Sequence, residues 1–252
     1  MTVEKIGRVI WHDLLTGDRQ RSMSFYQRVA GWTYQTEHAT DFAWGGGEKD
    51  FVLALSEDEA GAGFAETPPE MTNGWIAYVE VLDVDATVAL AEKLGGTIVR
   101  QPFEVPGVGR NALLRDPLGA LIGVSISRHD YPVPRRQFGM EVYLTNAPAF
   151  PQEFYSELFD WNISPPPVGD QTGLLVTGPS GEDVALVVSG KTPMEAQAVW
   201  VPSIKVAHPT ASLNDSAALG DEPFNELIAK PAQQHRSFLR DPGGALSCLL
   251  QA

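Results

Sequence analysis

One heptapeptide occurs twice in this chain. Arg115-Asp116-Pro117-Leu118-Gly119-Ala120-Leu121 returns 125 residues later as Arg240-Asp241-Pro242-Gly243-Gly244-Ala245-Leu246. Trp75 finds a counterpart in Trp200 at the same spacing, and Phe25-Tyr26 with Gly31-Trp32 are answered 129 residues on by Phe154-Tyr155 with Asp160-Trp161. Self-similarity at a period of about 127 residues is too long for a solenoid and has the size of a domain. With 252 residues and 43% hydrophobic content the chain can build two such cores. The repeat predicts a first domain at 1–128, a polar, proline-bearing linker at 129–137 and a second domain at 138–252.

Each copy has a legible order. Val9 to Leu15 is an apolar run ending in turn residues, so it reads as a strand. Asp18 is placed to cap a helix whose face carries Ser22, Met23, Tyr26, Val29 and Ala30, and Gly31 stands at the C-cap. Phe42 to Trp44 and Phe51 to Leu55 read as strands about a glycine hairpin at Gly45 to Gly47, and Ser56 to Asn73, acidic and without period, reads as a surface loop. Gly74 to Val81 is a strand, after which Asp83 or Asp85 caps a helix ending at Gly95-Gly96. Thr97 to Val99, Asn111 to Leu114 and Leu121 to Ser125 complete the copy. The second copy is less regular, with a short polar helix around Leu213 to Leu219.

Charge and cysteine usage exclude some functions. The net charge of −14 is spread over both halves and argues against a nucleic-acid partner, whose phosphates require basic patches. A single cysteine, Cys248, excludes a disulfide framework within the chain and fits the cytoplasm. Glu4, Lys5 and Arg8 interrupt the N-terminal region, so neither a signal peptide nor a membrane span is expected.

The sequence resembles the vicinal-oxygen-chelate superfamily of glyoxalase I, bleomycin and fosfomycin resistance proteins and extradiol dioxygenases. The resemblance is carried by Trp11-His12-Asp13-Leu14, Asp18 with Phe25-Tyr26 and Gly31-Trp32, Asp83-Val84-Asp85-Ala86-Thr87 with Leu94-Gly95-Gly96, Gly109-Arg110, and Asp116-Pro117-Leu118-Gly119-Ala120. It implies an α+β fold: two tandem glyoxalase-like domains, each of paired βαβββ modules forming a curved mixed sheet around a cleft. In metal-using members that cleft holds one divalent ion on His, Gln or Glu, which acts as a Lewis acid on adjacent substrate oxygens. Counting from the motifs, the ligand positions fall on Trp11, Ile76 (or Trp75) and Gly123 in the first copy, and on Met140, Val201 (or Trp200) and Cys248 in the second. None is a His, Gln, Asp or Glu, so no cofactor is expected, and a divalent metal only if its ligands are non-standard.

Trp11, Trp75 and Trp200 are therefore candidates for an aromatic platform, with core packing as the plain alternative. Asp13, two residues from Trp11 and on the same strand face, is a candidate base or anchor; His12 faces the other way. Glu141 stands beside Met140 as His12 stands beside Trp11. Arg110 is a candidate for a bidentate grip on an anion, and His235 stands six residues before Asp241 as Arg110 stands six before Asp116. The remaining histidines are scattered, and Cys248 reads as buried and inert.

Two functions follow. One is a metal-free binding or sequestering protein for a small, partly aromatic molecule. The other is a lyase, isomerase or dioxygenase with ligands moved to His12, Asp13 or Glu141, or with acid–base chemistry through Asp13 and Arg110. The expected partner is a small molecule, with no nucleic acid and no membrane, and the protein is a monomer or homodimer.

Overall fold

The computed structural model describes residues 5–40, 48–129, 132–165, 173–192, 196–218 and 236–252. The first half runs β1 (Val9–Thr16), α1 (Arg19–Ala30), β2 (Thr33–Thr40), β3 (Glu48–Ser56) and β4 (Glu59–Glu66). It continues with β5 (Gly74–Glu80), α2 (Val84–Lys93), β6 (Thr97–Val105), β7 (Gly109–Arg115) and β8 (Leu121–Ser127). The second half begins with β9 (Glu141–Thr145), α3 (Gln152–Phe159), β10 (Asn162–Ser164), β11 (Leu174–Thr177) and β12 (Asp183–Ser189). It closes with β13 (Ala198–Val201), β14 (Ser203–Val206), α4 (Pro209–Ala218), β15 (Arg236–Arg240) and β16 (Leu246–Gln251). The βαβββ module is thus visible within each half, in a mixed α+β fold. No helix among the described residues is long and apolar enough to cross a membrane.

Local chemistry sets the helix limits. Asp18 accepts the Arg21 N–H at 3.0 Å, and Gly31 closes α1 in the left-handed region at φ 70°. Of the two aspartates available before α2, Asp83 is the cap, taking the Ala86 N–H at 3.0 Å. Asp85 is turned to another partner, described below. Helix α4 begins earlier than its sequence suggests, at Pro209.

Two expectations need correction. The segment read as a loop from Ser56 to Asn73 contains β4, which pairs parallel to β1 and antiparallel to β3. Its alternation was hidden because Gly61 and Gly63 occupy one face and carry no side chain, while Ala62 and Phe64 pack in the core. The linker is not wholly a linker. Its last residue, Gln137, is fully buried, Glu59 accepts the Arg135 and Arg136 N–H groups, and Phe138, which follows it, is buried against His12, Trp32 and Trp75. The strand expected at Phe42 to Trp44 and the Gly45–Gly47 hairpin lie outside the described residues.

Packing divides the chain into two compact units along lines other than the repeat boundary. The α1/α4 unit comprises Trp11–Ile76, Pro134–Gly139 and Val201–Ala252. Its strands run in the order β2-β3-β4-β1, with a three-stranded sheet β14-β16-β15. The α2/α3 unit comprises Met1–Ile10, Ala77–Val133 and Met140–Trp200, with strands β5-β8-β7-β6 and β10-β11-β12-β9-β13. Each unit therefore takes one βαβββ module from either half. The physical reason is that the apolar faces of a module's helix and strands are covered by those of a module from the other copy.

The residues that betray the repeat are the centres of these two cores. In the α1/α4 unit the Trp75 indole N–H donates to Tyr26 Oη at 3.0 Å, Tyr26 stacks on Trp32, and Asp241 accepts from Tyr26. In the α2/α3 unit Trp200 donates to Tyr155 Oη at 2.8 Å, Tyr155 stacks on Trp161, and Tyr155 Oη donates to Asp116 at 2.9 Å. Both aspartates also tie their own turns. Asp116 accepts the N–H groups of Leu118 and Ala120, and Asp241 those of Gly243 and Ala245.

Candidate functional site

Strand alternation fixes which side chains can meet a ligand. On β1, Leu14 and Thr16 turn to the core side, as does His12, which stacks on Phe138 with ring centroids 3.8 Å apart. Trp11, Asp13 and Leu15 turn the other way. Trp11 is half-buried, and its indole N–H donates to Asp13 Oδ1 at 2.9 Å. Asp13 is only 4% exposed and pairs across β4 with Gly63. A Cβ at Gly63 would overlap the Phe51 ring and stand 2.9 Å from Asp13 Oδ1. The glycine thus makes room for the Asp13 carboxylate and the Phe51 ring on one sheet face, which Trp11 shares through its bond to Asp13.

Trp75 and Trp200 do not belong to such a face, which corrects the three-tryptophan platform. Both are buried in the aromatic cores with their indole N–H groups committed to tyrosine hydroxyls. On β5 it is Ile76, Tyr78 and Glu80 that face away from the core. Arg110 is also reassigned. It alternates with Ala112 and Leu114 on the helix side of β7 and grips Asp85 at 2.6 and 2.7 Å, with Glu104 at 3.4 Å. That hydrogen-bonded pair holds the Asp85 carboxyl below its ordinary range, and the guanidinium is engaged at the start of α2. Glu141 is buried on β9, and His235 lies outside the described residues.

The α2/α3 unit has a polar counterpart face. Tyr78, Glu80, Asn111 and Ser125 are buried there, and the Tyr78 ring lies over Gly123, where any Cβ would overlap it. Burial pushes the Glu80 carboxyl above its ordinary range, although it accepts the Ser127 N–H at 3.1 Å and the Ser127 hydroxyl at 2.8 and 2.9 Å. In the same unit the equivalent faces of β9 and β12 present Val142, Leu144, Leu186 and Val188, all buried and aliphatic. Among the described residues, the buried polar groups on this face come from β5, β7 and β8, whereas β9 and β12 present aliphatic side chains there.

Sequence reasoning missed three residues of interest. Tyr78 and Glu80 were passed over because β5 is apolar or aromatic at nearly every position, so the period-2 signal that would separate its faces is absent. Gln137 was hidden inside the supposed linker. It is fully buried, its side chain lies over Gly61, and neither amide atom has a hydrogen-bond partner.

Comparison with known proteins agrees with this architecture. Residues 5–124, just under half of the chain, match the model of the Glyoxalase/Bleomycin resistance protein/Dioxygenase superfamily. A Mycobacterium tuberculosis protein named "Putative glyoxylase CFP32" is 34% identical over 122 residues, covering 48% of this chain and 45% of its own length. The "Anthracycline biosynthesis protein DauV" of Streptomyces sp. strain C5 is 29% identical over 129 residues, 47% of this chain and 46% of that protein. The chain thus aligns with less than half the length of these relatives. Homoprotocatechuate 2,3-dioxygenase from B. fuscum, as a variant in complex with HPCA, superposes with a TM-score of 0.61 over 97% of this chain and 71% of that one. At 14% identity this likeness concerns the fold.

The divalent ion of metal-using members does not fit the residues at the counted positions. Trp11, Ile76, Gly123, Met140 and Val201 offer no side-chain nitrogen or oxygen suited to a divalent metal, and the sixth position is Cys248, fully buried in β16. Among the described residues no three of His, Cys, Asp and Glu come together to hold a metal.

Proposed function

We propose that this protein binds a small, partly aromatic molecule without using the superfamily's metal, on the face formed by Trp11, Asp13, Phe51 and Gly63, and that it does so in the cytoplasm. The observation that carries the reading is the half-buried Trp11 ring pinned through its N–H to a buried carboxylate. Fixing the indole in advance removes part of the ordering cost of binding, and its flat face suits a conjugated ring. The names of the relatives, an anthracycline biosynthesis protein and an aromatic-ring dioxygenase among them, support an aromatic ligand.

Titration with 2-naphthol, followed by tryptophan fluorescence, tests the reading. Trp11→Ala is expected to weaken binding at least tenfold and Trp11→Phe to retain most of it, because phenylalanine keeps a stacking face. Unchanged affinity in Trp11→Ala would overturn the proposal.

The burial of Asp13 favours a second reading, an acid–base lyase or isomerase working at the same face. Arg110 takes no part in it, being engaged with Asp85 and Glu104. This version requires a turnover that Asp13→Asn abolishes while ligand binding persists.

A further inference from the structure

The strongest unexplained feature of the α1/α4 unit is a buried amide with nothing to bond. Gln137 has no exposed surface, and both its Oε1 and Nε2 lack a hydrogen-bond partner. Buried side-chain polar groups are nearly always paired, so one that is not calls for an explanation. Its position is not accidental. The Gln137 carbonyl accepts the Lys205 N–H at 2.9 Å, Gly139 N–H donates to the Ser203 carbonyl at 2.8 Å, and Phe138 bridges to Ile204 between them. Phe138 and Ile204 both pack in the aromatic core, so Gln137 and Ser203 project to the opposite side. The Ser203 hydroxyl is also fully buried and without a partner.

That opposite side is the face of Trp11 and Asp13. Gln137 Oε1 lies 2.6 Å from where a Cβ of Gly61 would stand, and Asp13 Oδ1 lies 2.9 Å from the corresponding point on Gly63. Gly61 and Gly63 are neighbours on one face of β4, about 7 Å apart along an extended strand. Asp13 pairs with Gly63, and the Trp11 indole N–H donates to the Asp13 carboxylate at 2.9 Å. The amide, the indole and the carboxylate therefore share one stretch of two glycines, and the half-buried Trp11 marks its accessible end.

We infer that the Gln137 carboxamide is a specificity-determining group of this site, recognising a neutral ligand edge that carries a hydrogen-bond donor beside an acceptor. The inference rests on the proposed ligand site at Trp11. A carboxamide offers two N–H donors and a carbonyl acceptor in one plane and has no charge. Its complement is a primary or secondary amide, a lactam, or a hydroxyl adjacent to a carbonyl on a conjugated ring. A purely apolar ring would leave the amide as unsatisfied as it is without ligand. A ligand with the matching edge satisfies it, and sites built on such bonds discriminate strongly against analogues that lack them.

The test compares benzamide with N,N-dimethylbenzamide, which has the same ring and carbonyl but no N–H. Binding is followed by tryptophan fluorescence on wild-type protein, Gln137→Met and Trp11→Ala. The wild type is expected to prefer benzamide at least tenfold, and Gln137→Met, close in volume and apolar, to lose that preference while melting at or above the wild-type temperature. Equal binding of the two amides by the wild type, or a preference that survives in Gln137→Met, overturns the inference and leaves the Trp11 reading standing if Trp11→Ala weakens both. A lower melting temperature for Gln137→Met overturns it too, since the amide would then be structural. Failure of the wild type to bind either probe removes the ligand site and the inference together.

Discussion

The two buried clusters, Trp75–Tyr26–Asp241 and Trp200–Tyr155–Asp116, are built from the same repeated residues and finished differently. Asp116 receives a second phenol, Tyr143 Oη at 2.5 Å, in addition to Tyr155. Asp241 receives the Ser22 hydroxyl at 3.5 Å, and Ser22 is shared with Thr16 at 2.8 Å. Burial raises the carboxyl pKa of both, to about 6 for Asp241. The difference shows how a duplicated core diverges without losing its plan. The Trp–Tyr–Asp chain is retained because each member satisfies a polar atom of the next, whereas the remaining lone pairs of the aspartate accept whichever hydroxyl the neighbouring strand or helix supplies.

The largest effect that would break the comparison is removal of an indole. Trp200→Ala and Trp75→Ala each empty a core and orphan a tyrosine hydroxyl, so each is expected to cost about 3–5 kcal/mol in denaturant unfolding. Trp11→Ala, from a half-buried position, is expected to cost well under half of that. A Trp11→Ala loss equal to that of Trp75→Ala would put Trp11 in a core and count against the ligand site.

The next test separates the carboxylates. Asp241, with an ordinary value of 3.8 and a folded value of about 6, binds its proton more tightly when folded. Its contribution to stability is full below the unfolded value and declines as pH rises through about 4–6, a change of roughly 3 kcal/mol at most. In melting curves taken from pH 4 to 7, Asp241→Asn is expected to lack this part of the decline. Identical slopes for wild type and variant would contradict the raised value. Tyr143→Phe then removes the second phenol from Asp116, with an expected loss of about 1 kcal/mol and a folded pKa for Asp116 pushed higher still. Smallest is Ser22→Ala, whose bond to Asp241 is long. Less than about 1 kcal/mol is expected there, and a loss larger than that of Tyr143→Phe would invert the ranking of the two clusters.

The same residues show what the sequence made legible. Tyr26, Trp32, Trp75 and Asp116 could be matched to Tyr155, Trp161, Trp200 and Asp241 because large aromatic and turn residues stand out from the background, and they turn out to organise the cores. Their roles were less legible. A count from a motif gives the strand position, and the parity of β5 relative to the core decides the role; with Trp75 to Glu80 all buried, hydrophobicity does not reveal that parity. Trp11 and Asp13 were placed on one face correctly, since two residues along a strand always share a face. β4 was invisible because two of its outward positions are glycines, and Gln137 because a polar, proline-bearing stretch gives no sign that its last residue is buried.

The clusters also set a timetable. Ser22 and its acceptor Asp241 are 219 residues apart, and Asp241 is the partner of the Tyr26 hydroxyl as well. At a ribosomal rate of about 5–20 residues per second, the helix bearing Tyr26 waits on the order of ten seconds or more before the carboxylate that completes its surroundings has been made. During that interval the aromatic face of α1 has no native cover from α4, β15 or β16. The N-terminal module is thus the part of this chain that waits longest during synthesis for its native cover.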